Sequence, residues 1–169
     1  MNSFLELAES RYSVRKYEER QIEEDKLSRI LRAGQIAPTG ANRQPQKIMV
    51  LQSPEAIEKV RKLTKYAFNA PTVLLICADL DDSWVGVDGH ICAPIDAAIV
   101  ITHMMLAAWD EGIGSCWVRG FDKNVISEAY SLPQNLEPIA FLPLGYPASG
   151  PAKGWHDKRK AIDETVTFM

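Results

Sequence analysis

Runs in which apolar residues recur at helical spacing alternate along this chain with shorter runs that are apolar throughout. Residues 2–9 read as a short amphipathic helix, with Phe4, Leu5 and Ala8 on one side and Glu6 and Glu9 on the other. The segment Arg11-Tyr-Ser-Val-Arg-Lys-Tyr17 then changes to period two, which suits extended backbone. From Glu23 onward, Leu27, Ile30, Leu31 and Gly34 follow the i, i+3, i+4, i+7 pattern of a helix buried on one face, which should stop before Pro38. A loop over 38–45 leads to an expected strand at 47–52. Ser53-Pro54-Glu55 then opens another helix, with a hydroxyl cap, a proline at the first helical position and an acid near the positive end of the dipole.

Thr72–Ala78 (TVLLICA) is β-branched, apolar and too short for a buried helix, so a central strand covered on both faces is expected. Residues 91–110 predict a core helix ending near Gly112. Ile95, Ala98, Ile99, Thr102, Met105, Leu106 and Trp109 share one of its faces, and more apolar residues lie around the circumference. Gly114–Arg119 should be a short strand, and Asp122 should cap a helix through about Tyr130. Pro138–Gly145 should be a strand near an edge or bent, since proline cannot donate to a ladder. The stretch 148–160 is rich in Gly, Pro and Lys and has no period, after which strand character returns over Ala161–Phe168, as in an arm reaching for a sheet elsewhere. Helices and strands interleave without regular βαβ spacing, so the expected class is α+β, in one domain over 1–169 with no repeat and no linker.

Composition narrows the class of function. With 169 residues, 46% apolar and 24% charged, the chain is neither disordered nor collagen-like. A formal charge of −3 lacks the basic excess that neutralises a phosphate backbone, so no nucleic-acid partner is expected. No stretch approaches the 18 or so consecutive apolar residues of a membrane span, and MNSFLELAES has no cleavable apolar core. A soluble cytoplasmic protein without a membrane partner is expected. Cys77, Cys92 and Cys116 are odd in number and lack CxxC spacing, which suits reduced thiols better than a disulfide framework or a zinc cage.

Several chemistries have no signature. GxGxxG after a strand, GxxxxGK[ST], HExxH and GxSxG are all missing. Asp88, His90 and Cys92, with Asp81 and Asp82 upstream, mix hard and soft donors that select no particular metal, and they read as a solvated turn. His103 reads as a neutral, hydrogen-bonded residue of the core helix, and His156 as a solvated tail residue.

Four segments remain. If 11–17 is extended, Arg11, Ser13 and Arg15 point to one side, where two guanidinium forks and a hydroxyl suit a phosphate; taken alone, the segment reads more readily as a solvated edge strand. In the loop 38–45, Thr39, Asn42 and Gln44 offer donors and acceptors around Gly40, to a ligand or only to the local backbone. Gly114-Ser-Cys-Trp-Val-Arg-Gly-Phe121 ends in an Arg-Gly turn where backbone amides can approach a ligand, while Trp117 is open to a core reading. Lys153, Lys158, Arg159 and Lys160 form a late basic patch in what also reads as a solvated tail.

In this order, and followed by a strand ending Leu144-Gly-Tyr-Pro147, these segments resemble the nitroreductase family of FMN-dependent oxidoreductases. The likeness runs from Arg11-x-Ser13-x-Arg15 through Pro38-x-x-x-Asn42-x-Gln44-Pro45, Asp96 to Gly114-x-x-Trp117, Pro138 to Pro147, and Arg159-Lys160. It implies an antiparallel sheet flanked by helices, in a homodimer whose C-terminal strand, from about 160, is exchanged with the partner. It further implies that Arg11, Ser13 and Arg15, joined by Arg159 and Lys158, hold the FMN phosphate and ribityl chain. Thr39, Gly40 and Asn42 would meet the isoalloxazine from the neighbouring subunit, and the turn Val118-Arg119-Gly120 would lie against the ring with an amide near N5. Lys62 or Lys65 is a candidate donor to N1 and the C2 carbonyl. No metal and no side-chain nucleophile are implied, because the flavin carries the electron chemistry.

The activity so implied is hydride uptake from NADH or NADPH, then electron transfer to a nitroaromatic, quinone or similar small acceptor in a ping-pong cycle. A flavin carrier or sensor without efficient turnover, or a sister reductive chemistry, is the alternative. Thr39-Gly40 stands where relatives often have two serines, Gln46 where they often have tryptophan, and Arg119 where Gly or Glu is common. The last suggests a pocket biased toward anionic substrates or partly closed. The chain is short for the family and has little room for a helical lid, which implies a shallow, permissive site.

Overall fold

The computed structural model describes residues 3–150 and 158–169, so Lys153 and His156 of the expected tail lie outside the described residues. Five helices and four strands follow in the order α1 (Phe4–Ser10), α2 (Glu24–Gln35), β1 (Gln46–Leu51), α3 (Pro54–Leu63), β2 (Thr72–Asp79), α4 (Ala93–Asp110), β3 (Gly114–Ser115), α5 (Lys123–Ala129) and β4 (Leu136–Gly145). The local signals act as expected. Ser53 accepts the Ala56 amide with Pro54 in the first turn of α3, and Asp122 accepts the Asn124 amide to start α5.

All strand pairs are antiparallel, in the order β1-β2-β4-β3, and the class is α+β. The strand β2 is buried almost end to end because its two faces serve two cores. Leu74, Ile76 and Ala78 pack with α2 and α4, whereas Val73, Leu75 and Cys77 pack with Ile57 and Val60 of α3 and Ile126 of α5. Gly34 of α2 sits so close to α4 that a Cβ there would fall 2.8 Å from Met104 Cγ, which brings the two helices together on one side of the sheet.

Three expectations are corrected. The core face of α4 carries Ala93, Asp96, Ala97, Val100, Ile101, Met104, Met105 and Ala108, whereas Ile95 is 51% exposed and Thr102 is exposed. A helix apolar around its whole circumference does not fix its own phase, so only the neighbours decide which stripe is inside.

The strand β4 is interior despite Pro138 and Pro143. Pro138 pairs with Cys77 where the register shifts, beside the extra residue Ile139. Pro143 accepts from the Cys116 amide, so its own nitrogen faces the β3 side, where it has no proton to return. That missing bond explains why β3 is two residues long. The register of Gly114↔Gly145 and Ser115↔Leu144 carries on to a bridge at Val118↔Phe141, so the expected strand over 114–119 is present in direction but interrupted opposite the proline.

The expected strand over Ala161–Phe168 is instead a single 3-10 turn, Ile162–Glu164, within irregular backbone, and it pairs with no strand among the described residues. Its Ile162, Phe168 and Met169 are exposed, as are Phe4 and Leu5 of α1, so this chain alone leaves considerable apolar surface uncovered.

Candidate functional site

The run 11–17 is extended but joins the sheet only through single bridges. Ser13 pairs parallel with Ser115, the Val14 amide donates to the Ser115 carbonyl at 2.9 Å, and Tyr17 pairs with Pro147. Val14 is the residue that docks the run, fully buried against Gly114, where a Cβ would stand 2.5 Å from Val14 Cγ2. Period two then turns Arg11, Ser13 and Arg15 to a common side, and all three act on the thiol of Cys116. Burial pushes that thiol above the ordinary cysteine range, and Arg15, Ser13 and Arg11 only partly offset it, so Cys116 is a neutral buried group at neutral pH.

Arg11 stands in an unusual state. Its Nη1 is buried with no hydrogen-bond partner among the described residues. Its affinity for a proton is lowered by burial first and by the charge of Arg159 second. A buried guanidinium proton without an acceptor among the described residues, with a second arginine adding like charge, is chemistry that an anion would satisfy. The chain thus brings Arg159 to Arg11, whereas Lys158 is exposed and is joined to the group only through its carbonyl, which accepts from Arg159.

Two cavities open beside this run. One of about 230 Å³ lies between Tyr12, Ser13, Arg15 and Lys16 and the backbone of Ser149–Gly150. The other, about 200 Å³, is bounded by Arg15, the turn Cys116–Gly120 and the aromatic pair Tyr66 and Phe68, whose rings are 6.1 Å apart. Gly120 lets the Tyr66 ring lie close, because a Cβ would come 2.4 Å from its edge, and the Gly120 carbonyl accepts from Thr64 Oγ1 at 2.9 Å. The Arg119 guanidinium rests 4.8 Å from the centre of the Phe121 ring. Lys65 Nζ lies 5.2 Å from the Tyr66 ring centre beside this cavity, whereas Lys62 pairs with Glu58 at 3.8 Å on the exposed side of α3.

The loop with Thr39, Gly40 and Asn42 is elsewhere. It packs on the first turn of α4, where the Gly40 amide donates to Asp96 Oδ1 at 2.9 Å and a Cβ on Gly40 would meet Trp84 at 3.0 Å. The arginine run belongs to the other end of that helix, where Trp109 Nε1 donates to Ser10 Oγ and the Trp109 ring meets Tyr12 edge to face at 5.1 Å. Asp96 and Trp109 are roughly 20 Å apart at a rise of about 1.5 Å per residue. The structure therefore groups Arg11, Ser13, Arg15, Val118, Arg119, Gly120 and Arg159 but leaves Thr39, Gly40 and Asn42 out of that group.

The sequence reading missed Tyr66 and Phe68, because an aromatic pair before a strand looks like core. Asp96 enters there only as a landmark of the resemblance, without a role, although a carboxylate in the first turn of a largely apolar helix is itself a signal. The expected solvated turn at Asp88–Cys92 is a small hairpin, with Val85 bridging Ile91 and Asp88 accepting the His90 amide. No three metal-ligating side chains gather among the described residues. His103 is partly buried, with Nδ1 3.0 Å from the Ile99 carbonyl. Trp117 packs against the core, and no helix among the described residues is long and apolar enough to cross a membrane.

Comparison with known proteins agrees with this architecture. Residues 8–80 and 63–146 match the nitroreductase family. A solved nitroreductase family protein of Clostridium difficile 630 superposes with a TM-score of 0.93 at 43% identity, over 99% of this chain and 98% of that one. Another, from Clostridium novyi NT, has a TM-score of 0.79 at 34% identity and covers 86% of each chain. The FMN reductase [NAD(P)H] of Bacillus subtilis is 25% identical over 189 residues, which take in 100% of this chain and 76% of that protein.

Proposed function

This chain belongs to the nitroreductase family, and we propose from that premise that it is a flavin-dependent NAD(P)H oxidoreductase, one FMN-binding unit over 1–169 that works in the cytoplasm as a homodimer. The observation that carries the reading is the orphaned, buried Nη1 of Arg11 beside Arg159, for which a phosphate dianion supplies the missing acceptor and the missing charge. Arg11, Ser13, Arg15 and Arg159, with Lys158 at the rim, hold the phosphate and ribityl end. In the turn Val118-Arg119-Gly120 the Val118 amide is taken by the Phe141 carbonyl, which leaves the amides of Arg119 and Gly120 to meet the ring; Tyr66 and Phe68 wall the cavity, and Lys65 lies beside Tyr66. FMN supplies the chemistry when bound, as acceptor of a hydride from NADH or NADPH and donor of electrons to a nitroaromatic, a quinone or a similar small molecule in a ping-pong cycle.

The same reading supplies the second chain. Within one chain, Thr39, Gly40 and Asn42 lie about a helix length from the anchors. Ile95 on the outer side of α4 and the residues Ile162, Phe168 and Met169 are apolar and exposed. A two-fold partner covers that surface and lends its 39–42 loop to the ring, with the arm from about 160 embracing it.

The test is reconstitution. The purified protein titrated with FMN should bind it, lose the visible flavin band anaerobically with NADH or NADPH, and regain it on adding a quinone or nitroarene. Binding without bleaching would mean a carrier or sensor, and failure to bind FMN would overturn the reading.

A further inference from the structure

Asp96 is only 3% exposed in the first turn of an otherwise apolar helix. Its Oδ1 takes the Gly40 amide at 2.9 Å, and its Oδ2 is buried with no partner among the described residues. A half-satisfied buried carboxylate destabilises a fold compared with an apolar side chain of the same size, so core packing does not account for it. What it holds is a strained loop. Ala41, Asn42 and Gln44 all have left-handed backbone, with φ of 48°, 54° and 53°.

The bonds inside the loop only fold it on itself: Asn42 and Gln44 amides donate to the carbonyl and hydroxyl of Thr39, and the Arg43 amide to the Gly40 carbonyl. The Gly40–Asp96 bond instead anchors it to a rigid helix, and Trp84 lies so close that a Cβ on Gly40 would stand 3.0 Å from it. Such an anchor sets where Thr39 and Asn42 stand relative to anything that docks on this end of α4.

We propose that Asp96 is a positioning residue that acts in trans: by holding the Gly40 amide it fixes the 39–44 loop that each chain lends to the flavin of its partner. The inference rests on the two-chain FMN site proposed above. The residue touches neither flavin nor acceptor, and it works through Gly40. Losing one hydrogen bond to a charged group at an assembled site should weaken FMN binding about tenfold or more in Asp96→Ala. Asp96→Leu, which fills the buried space without a carboxylate, carries the same expectation and serves if the alanine variant does not fold. Asp96→Asn keeps an oxygen for the Gly40 amide and should recover most of the affinity.

The deciding experiment mixes chains. A heterodimer of one Asp96→Ala (or Leu) chain and one Arg11→Met chain, isolated through two different tags, is titrated with FMN beside both homodimers and the wild type. Action in trans leaves one intact site, with anchors from the first chain and loop from the second, so one FMN per heterodimer should bind with wild-type affinity while both variant homodimers bind weakly. A heterodimer without a wild-type site, Asp96→Ala and Asp96→Leu homodimers with undiminished affinity, or an asparagine variant as weak as alanine would each overturn the proposal. A wild type that binds no FMN would overturn the flavin reading and this proposal with it.

Discussion

Removing the Arg11 guanidinium should do two opposite things. Arg11→Met takes away a buried donor without an acceptor and a like charge near Arg159, so thermal unfolding of the flavin-free protein should occur at the same temperature or higher. The same change should weaken FMN binding about tenfold or more, since a charge-assisted bond to phosphate contributes about 1.5–3 kcal/mol. Isothermal titration together with melting curves of the apoprotein separates the two, and a variant that loses stability but keeps FMN would contradict the anion site.

A second residue-scale effect follows pH. The hydrogen bond from Tyr146, and then that from Arg20, hold the Glu23 carboxyl at about 2, below its ordinary 4.5. Because the folded value is depressed, this contribution is fully present above the ordinary value and fades as pH falls from 4.5 toward 2. Glu23→Gln should flatten that part of the acid unfolding curve and leave stability at pH 7 only slightly lower, because the pair is solvent-exposed and screened. The sequence displayed Arg11, Ser13 and Arg15 through period two alone. It hid the Tyr146 partner of Glu23, which comes from more than a hundred residues away, and Arg159 joined Arg11 only through the family resemblance.

At the level of elements, the anchors depend on a glycine. Gly114→Ala would drive a methyl into the stiff, buried Val14 side chain, at a cost of about 1–3 kcal/mol, and would push the 11–15 run away from Ser115. FMN affinity should fall along with the melting temperature, and calorimetric titration with FMN beside a thermal melt checks both. Most elements were legible because their signals are local: the caps Ser53 and Asp122, the apolar run of β2, the spacing in α2. Three readings needed the tertiary partner. Pro143 looked like an edge signal, yet its missing donor faces the interrupted stretch at Cys116, so β4 is interior. Apolar all round, α4 could be phased only by the sheet and α2. The Ala161–Phe168 arm alternates like a strand but joins no strand among the described residues.

For the whole molecule, these facts converge on assembly. The loop 39–42 and the arginine run occupy opposite ends of α4, Ile95 on its outer side is 51% exposed, and Phe168 is 94% exposed. On the proposed reading, a site split in this way is complete only where two chains meet, so FMN affinity and dimerisation should be linked, each strengthening the other. The direct measurement is sedimentation velocity of the reconstituted protein over a dilution series, followed at both the protein and the flavin absorption bands. FMN should travel only with the dimer, with two bound per dimer, and should leave at dilutions where the dimer dissociates. A monomer that carries FMN at undiminished occupancy would contradict the account.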